Sequence, residues 1–160
     1  MKKFLIICAS FLLSAVASAQ TVEVTVKPLT DSDIQLIRSD VQAGKNDIIA
    51  HTMQLTDAES QAFWPLYRDY ARDQQVIGDQ RLQLIKDYAA NYDSLDDTKA
   101  NGMMQRMIDI EQKTLSLRQA YWPKFMKALG ARRAAKFYQV DSRLSLIVNL
   151  QLTSAIPLLP

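Results

Sequence analysis

The sequence predicts an all-α protein built on a long antiparallel helical hairpin, and three observations predict it. Glycine occurs only four times in 160 residues while Ala, Leu, Gln, Lys, Arg and Met recur throughout, so local propensity favours helix over nearly the whole chain. Two long stretches carry seam residues at alternating four- and three-residue spacing, the pattern of one helix face laid against another. Between them, Asn91-Tyr92-Asp93-Ser94-Leu95-Asp96-Asp97 is the clearest turn-forming segment, rich in side chains that bond their own backbone in competition with helix. Helices over about 57–91 and 97–128 are therefore expected to fold back on one another, with a flanking helix at the N-terminal and at the C-terminal side.

Taken in order, the first 19 residues carry Lys2 and Lys3, an apolar run from Phe4 to Val16, and then Ala17-Ser18-Ala19. That succession of charge, apolar core and small residues is the form of a cleavable secretory signal. A run of about 13 apolar residues also falls short of the roughly 20 that span a bilayer as a helix. Export to the periplasm, with no stable membrane anchor after cleavage, is the expectation, and it leaves 141 of the 160 residues, the size of one domain. The one cysteine, Cys8, leaves with the signal, so the mature chain has no thiol or disulfide and must hold together by packing. Losing Lys2 and Lys3 also brings basic and acidic residues into balance at 17 each.

Residues 20–31 form a lead-in. Val22-Glu23-Val24-Thr25-Val26 alternates as an edge strand does, but no second strand is visible to pair with it, and a flexible segment is expected. A single helical domain then covers 32–152. Its first helix runs from about Ser32 to Thr52, with Ile34, Ile37, Val41, Ile48 and Ile49 near one face and Gly44 a place to bend or split it. The second opens at Leu55-Thr56-Asp57-Ala58-Glu59, where Thr56 can cap and Glu59 can reach back. Its seam is Phe63, Tyr67, Tyr70, Gln74, Ile77, Arg81, Leu84 and Tyr88. Ser94 to Asp97 suit the start of the third helix by capping and by negative charge, and its expected seam is Met104, Met107, Glu111, Leu115, Arg118, Trp122, Phe125 and Leu129. Leu129-Gly130 breaks the pattern; Phe137, Val140, Leu144, Ile147, Val148 and Leu150 then mark a fourth helix closing near Leu152, and 153–160 is an apolar tail.

Both tryptophans sit in a repeat. Gln61-Ala62-Phe63-Trp64-Pro65-Leu66-Tyr67 returns as Gln119-Ala120-Tyr121-Trp122-Pro123-Lys124-Phe125. The midpoint of Trp64 and Trp122 is residue 93, so a reversal at Asp93 with equal rise on both arms sets the two motifs side by side. Pro65 and Pro123 each remove a backbone donor inside a helix, and matched kinks are expected to curve the hairpin.

The same residues bound the chemistry. One histidine, His51, and no mature cysteine give neither a Ser-His-acid nor a Cys-His set, and no glycine-rich phosphate loop is present. Asp96-Asp97 is a helix start before it is an acid-base pair, so no enzymatic activity and no cofactor are expected. A soft-metal site assembled from His51, Met53 and the Met103-Met104-Met107 cluster is the alternative to core filling by those methionines. Residues 121–160 hold Lys124, Lys127, Arg132, Arg133, Lys136 and Arg143 against Asp141 alone. For an exported chain this basic run points to a solvated face or to acidic envelope partners, not to nucleic acid.

With its signal-like start, the helix opening at Leu55-Thr56-Asp57-Ala58-Glu59, a turn near Asp93 and Leu129 before the last helix, the chain resembles the Spy/CpxP family of periplasmic proteins over roughly residues 53–145. That family is named for an L-T-x-x-Q motif; Glu59 stands here in place of the glutamine, and Leu129-Gly130-Ala131-Arg132-Arg133 keeps only the leucine of a second motif. The resemblance implies a helical hairpin, often an antiparallel homodimer with a concave face, that binds non-native proteins or modulates an envelope stress sensor without ATP. Combined with the residues, it makes Trp64, Tyr67, Trp122 and Phe125 the expected partner-binding aromatics, with Arg132, Arg133 and Lys136 supplying long-range attraction. The alternatives are a metal-sensing protein and an accessory protein with one dedicated envelope partner.

Overall fold

A computed structural model describes residues 44–154 together with Pro157 and Leu158. The signal-like segment, the lead-in and the first part of the expected first helix lie outside the described residues. The described chain is helical and all-α: α1 covers residues 44–53, α2 spans Asp57–Asn91, a single 3₁₀ turn covers Tyr92–Ser94, α3 spans Asp97–Leu129 and α4 spans Ala131–Ser154. α2 and α3 form the expected hairpin, and α4 returns along it from its open end.

The helix boundaries follow from local chemistry. Thr56 Oγ1 accepts from the Glu59 amide at 3.3 Å while Glu59 Oε2 accepts from the Thr56 amide at 2.9 Å, a reciprocal capping box that satisfies two orphan donors. The Thr56 amide and hydroxyl hold Glu59 below the usual carboxylate range, with the Arg133 charge adding to the effect. Asp96 Oδ1 caps α3 by accepting from the Lys99 amide at 2.8 Å. Gly130 ends α3 at φ 74° and ψ 156°, a region that essentially only glycine occupies, and its amide still donates to the Met126 carbonyl at 2.8 Å. α2 and α3 both continue unbroken through Pro65 and Pro123.

The expected seam of α2 is the observed one: Phe63, Tyr67, Tyr70 and Leu84 are buried, and Gln74, Ile77, Arg81 and Tyr88 are half-buried. The expected seam of α3 holds at Phe125 and Leu129, which are buried, and at Met107 and Arg118, which are half-buried, and is displaced by one residue at the other four positions. Ile110, Tyr121, Phe125 and Leu129 are buried, whereas Met104 and Leu115 are 56% and 48% exposed and Glu111 is exposed. α3 carries two neighbouring apolar stripes one residue apart, and the one facing α2 contains Tyr121, the counterpart of Phe63 in the repeat. Trp122 belongs to the other stripe and turns toward α4, where its ring meets Tyr138 at 6.5 Å.

The two Trp-Pro motifs are not level. Across the hairpin Arg106 pairs with Asp87 at 2.7 Å, Lys113 donates to Gln80 at 3.0 Å and Tyr121 donates to Asp73 at 2.7 Å. All three pairs straddle residues 96 and 97. The 3₁₀ turn adds length to the first arm before the chain crosses, so Tyr121 meets Tyr70 at 5.2 Å one turn or more beyond the level expected from Asp93.

The core sits at the open end of the hairpin. Phe63, Tyr67 and Tyr70 of α2, Tyr121, Phe125 and Leu129 of α3, and Ala134 and Phe137 of α4 form one buried cluster, closed by Ile49 and Met53 of α1. Phe125 and Phe137 pack at 4.5 Å between ring centres, and Phe63 meets Phe137 edge-on at 5.1 Å, geometries that add to the area such rings bury. Near the turn the tail contacts the first arm: the Tyr88 and Tyr92 hydroxyls donate to the carbonyls of Pro157 and Leu158 at 2.9 and 2.8 Å.

Candidate functional site

The seven side chains expected to bind a partner are divided among three places. Phe125 is 3% exposed and lies in the core, and the Tyr67 ring is buried beside Phe63, stacked at 5.6 Å. Both build the molecule from within. Trp64 and Trp122 are each half-buried and line different crevices.

Trp122 borders a narrow cleft among α2, α3 and α4, with Arg118 and Tyr138 at its mouth and Tyr70 and Asp141 at its floor. The space inside is about 10 Å³, the lower limit for a single water. The Arg118 guanidinium lies 5.5 Å from the centre of the Tyr138 ring, close enough for a cation–π contact. Trp64 borders an open groove of about 350 Å³ between α1 and α2. Asn46 of α1 forms one lip; Arg68, Arg72 and Gln75 of α2 form the other side, over a floor that includes Ala71.

The three expected cations also differ in role. Arg133 donates to the carbonyls of Met53 and Gln54 at 2.9 and 2.8 Å and pairs with Glu59 at 3.1 Å. Lys136 donates to the Thr52 carbonyl. Both therefore neutralise the negative end of α1 and clamp it to α4, which occupies them structurally. Gln54, at φ 45°, is held between them in the left-handed region that non-glycine residues seldom visit. Arg132 is exposed and available for attraction at long range.

Residue-level reading missed the most unusual group of the molecule. Asp141 of α4 is 1% exposed, accepts from the Tyr70 hydroxyl at 2.9 Å and from Gln74 Nε2 at 3.2 Å, and pairs with Lys45 Nζ at 3.3 Å. Lys45 also donates to Gln74 Oε1 at 3.2 Å, so α1, α2 and α4 share one polar knot beside the aromatic core. Burial, and then the charge of Asp141, push the Tyr70 hydroxyl far above its ordinary pKa. The signal was present in the sequence: Asp141 falls at core spacing with Ala134, Phe137 and Leu144 and is the one acid of the basic C-terminal quarter.

The metal alternative gains no geometry. His51 is exposed on α1, and Met53 is buried in the core at the open end. Met103, Met104 and Met107 lie far along α3, with Met107 Sδ accepting from Arg81, roughly 33–39 Å from the Leu129 end at 1.5 Å per residue. Among the described residues no group of three His, Cys, Asp or Glu converges as metal ligands, and no helix is long and apolar enough to cross a membrane.

No protein-family model, curated protein or solved structure matches this chain.

Proposed function

We propose that the protein is an exported, periplasmic binding protein that holds non-native or partner proteins on its helical surface without ATP, as a chaperone-like factor or envelope-stress modulator, and that it catalyses no reaction. The observation that carries this reading is the run of large apolar side chains left in solvent on α3 and α4. Met104, Ile108 and Leu115 continue one stripe of α3, and Leu146, Ile147 and Leu150 continue one of α4; each is about half exposed or more. Single exposed apolar residues are ordinary on any protein, but repeated ones along one element mark a surface that meets something. Arg132, Lys127 and Arg143 are exposed on the same two helices, which supports attraction of acidic or unfolded chains at a distance. Membership of the Spy/CpxP family is part of the proposal, and the helical hairpin supports it.

The test is suppression of aggregation of an unfolding model protein by the purified mature chain, titrated through equimolar and repeated at high salt. Suppression near stoichiometry is expected, weakened by salt because exposed charges are screened over about 10 Å at 0.1 M. Replacing Leu146 and Leu150 by Ser together should weaken it severalfold while helicity is kept, since both side chains are more than two-thirds exposed. Unchanged suppression in that variant, or none from the native chain at any ratio, overturns the reading.

A further inference from the structure

The groove between α1 and α2 has a character of its own. It is open to solvent and of a size that small-ligand sites have, but a small molecule would remain largely in water there, whereas a chain segment can lie across it. One wall is aromatic: Trp64 is half-buried, leaning edge-on against Phe63 and Tyr67 at 5.1 and 5.7 Å. Trp64, Arg68 and Arg72 follow at four-residue spacing on α2 and so lie on one face, over about 12 Å at 1.5 Å per residue. That length matches three or four residues of extended chain at about 3.3 Å each.

The charge in the groove is one-sided. Among the described residues no carboxylate lines it, while two guanidinium groups do. Arg68 makes no ion pair or hydrogen bond among the described residues. Arg72 is paired with Asp69 at 3.1 Å and Asp73 at 3.8 Å, but with 69% of its side chain exposed. Exposed pairs of this kind hold their partners weakly, so Arg72 is free to turn toward a stronger anion. Asn46 supplies an uncharged polar lip.

We propose that this groove receives a short acidic peptide segment of a partner protein, an apolar side chain resting on Trp64 and an adjacent carboxylate bound by Arg68 and Arg72. Guanidinium and carboxylate match as paired donors and acceptors, and the aromatic wall gives the apolar residue a place that a bare anion would leave empty. This deepens the function proposed above by naming the chemistry of the partner, and it rests on that reading in taking a protein as the ligand.

The experiment uses the mature chain carrying Trp122→Phe, so that Trp64 alone reports by fluorescence. Phe keeps a ring against Tyr138. Two end-blocked pentapeptides are titrated, Asp-Phe-Asp-Leu-Asp and its counterpart with every Asp replaced by Asn. A saturable change is expected with the acidic peptide, about tenfold weaker with the Asn peptide, and five- to tenfold weaker when Arg68→Gln is introduced, the scale of one charge-assisted contact. Equal binding of the two peptides, or binding indifferent to Arg68→Gln and Arg72→Gln, overturns the assignment. So does a single-stranded oligonucleotide that binds more tightly than the peptide and depends on the same arginines. Aggregation suppression is measured on the same samples to separate the two proposals: suppression without acidic preference removes the groove and keeps the general function, while acidic-peptide binding without suppression does the reverse.

Discussion

At the scale of single residues, Asp141 has the most to lose. A buried carboxylate is tolerated only when its partners are in place, and here they come from two other helices: Tyr70 and Gln74 of α2 and Lys45 of α1. Asp141→Ala leaves the Tyr70 hydroxyl without its acceptor and the half-buried Lys45 ammonium without its counter-charge, so a loss of about 3 kcal/mol is expected in urea denaturation. Asp141→Asn should lose less, because its amide oxygen still accepts from Tyr70; equal losses would mean that packing alone matters at this position. Tyr121 gives a prediction in pH. Burial first, and then its bond to Asp73, push its hydroxyl from 10 to about 12, so the fold favours the neutral form. The associated stability is whole below pH 10 and is lost as pH rises toward 12. Urea midpoints should fall across that window, and Tyr121→Phe should remove part of the fall; an identical profile in the variant would count against the assignment. The sequence marked both residues by type and spacing. Their partners were illegible, because Lys45 meets Asp141, Asp141 meets Tyr70 and Asp73 meets Tyr121 only through helix pairings that lie far apart in sequence.

At the scale of elements, the ends were legible and the faces were half so. Thr56, Asp96 and Gly130 announce their helix boundaries because capping chemistry is local, and the structure places each cap where the residues put it. Register is not local: α3 offers two apolar stripes, and which one meets α2 depends on the length of the crossing between Asn91 and Asp97. Applying the third position of the Gln-Ala-aromatic-Trp-Pro repeat to both arms selects Tyr121 and the right stripe, whereas choosing Trp122 selects the wrong one. Two substitutions probe the ends. Thr56→Ala should cost about 1 kcal/mol by losing half of the capping box. Gly130→Ala should cost about 1–3 kcal/mol through backbone strain alone, since nothing lies within 4 Å of an added Cβ. A silent Gly130→Ala would show that the junction of α3 and α4 can turn by another route.

At the scale of the whole molecule, stability is unevenly spread. Ten buried residues from all four helices meet at the open end of the hairpin, while toward the turn the burial thins to Leu84 and Ile110. There the arms rely on side-chain contacts, Arg106 to Asp87, Lys113 to Gln80 and Arg81 to Met107, and half-exposed contacts of this kind contribute little each. Local opening follows buried apolar contact, so native-state hydrogen exchange should show a gradient. Amides around Phe63 to Tyr70 and Tyr121 to Leu129 should exchange only through global unfolding, and those from about Lys86 to Arg106 should exchange through opening of the turn end alone. The tail carbonyls held by Tyr88 and Tyr92 add a brace there from outside the two arms, and Tyr88→Phe with Tyr92→Phe should steepen the gradient without moving the slowest amides. Uniform protection along both arms would mean that the hairpin opens as one unit. A gradient would instead give the exposed stripe of Met104 and Ile108 a backbone able to adjust to chains of differing shape, while the aromatic end keeps α1, and with it the Trp64 groove, in fixed geometry.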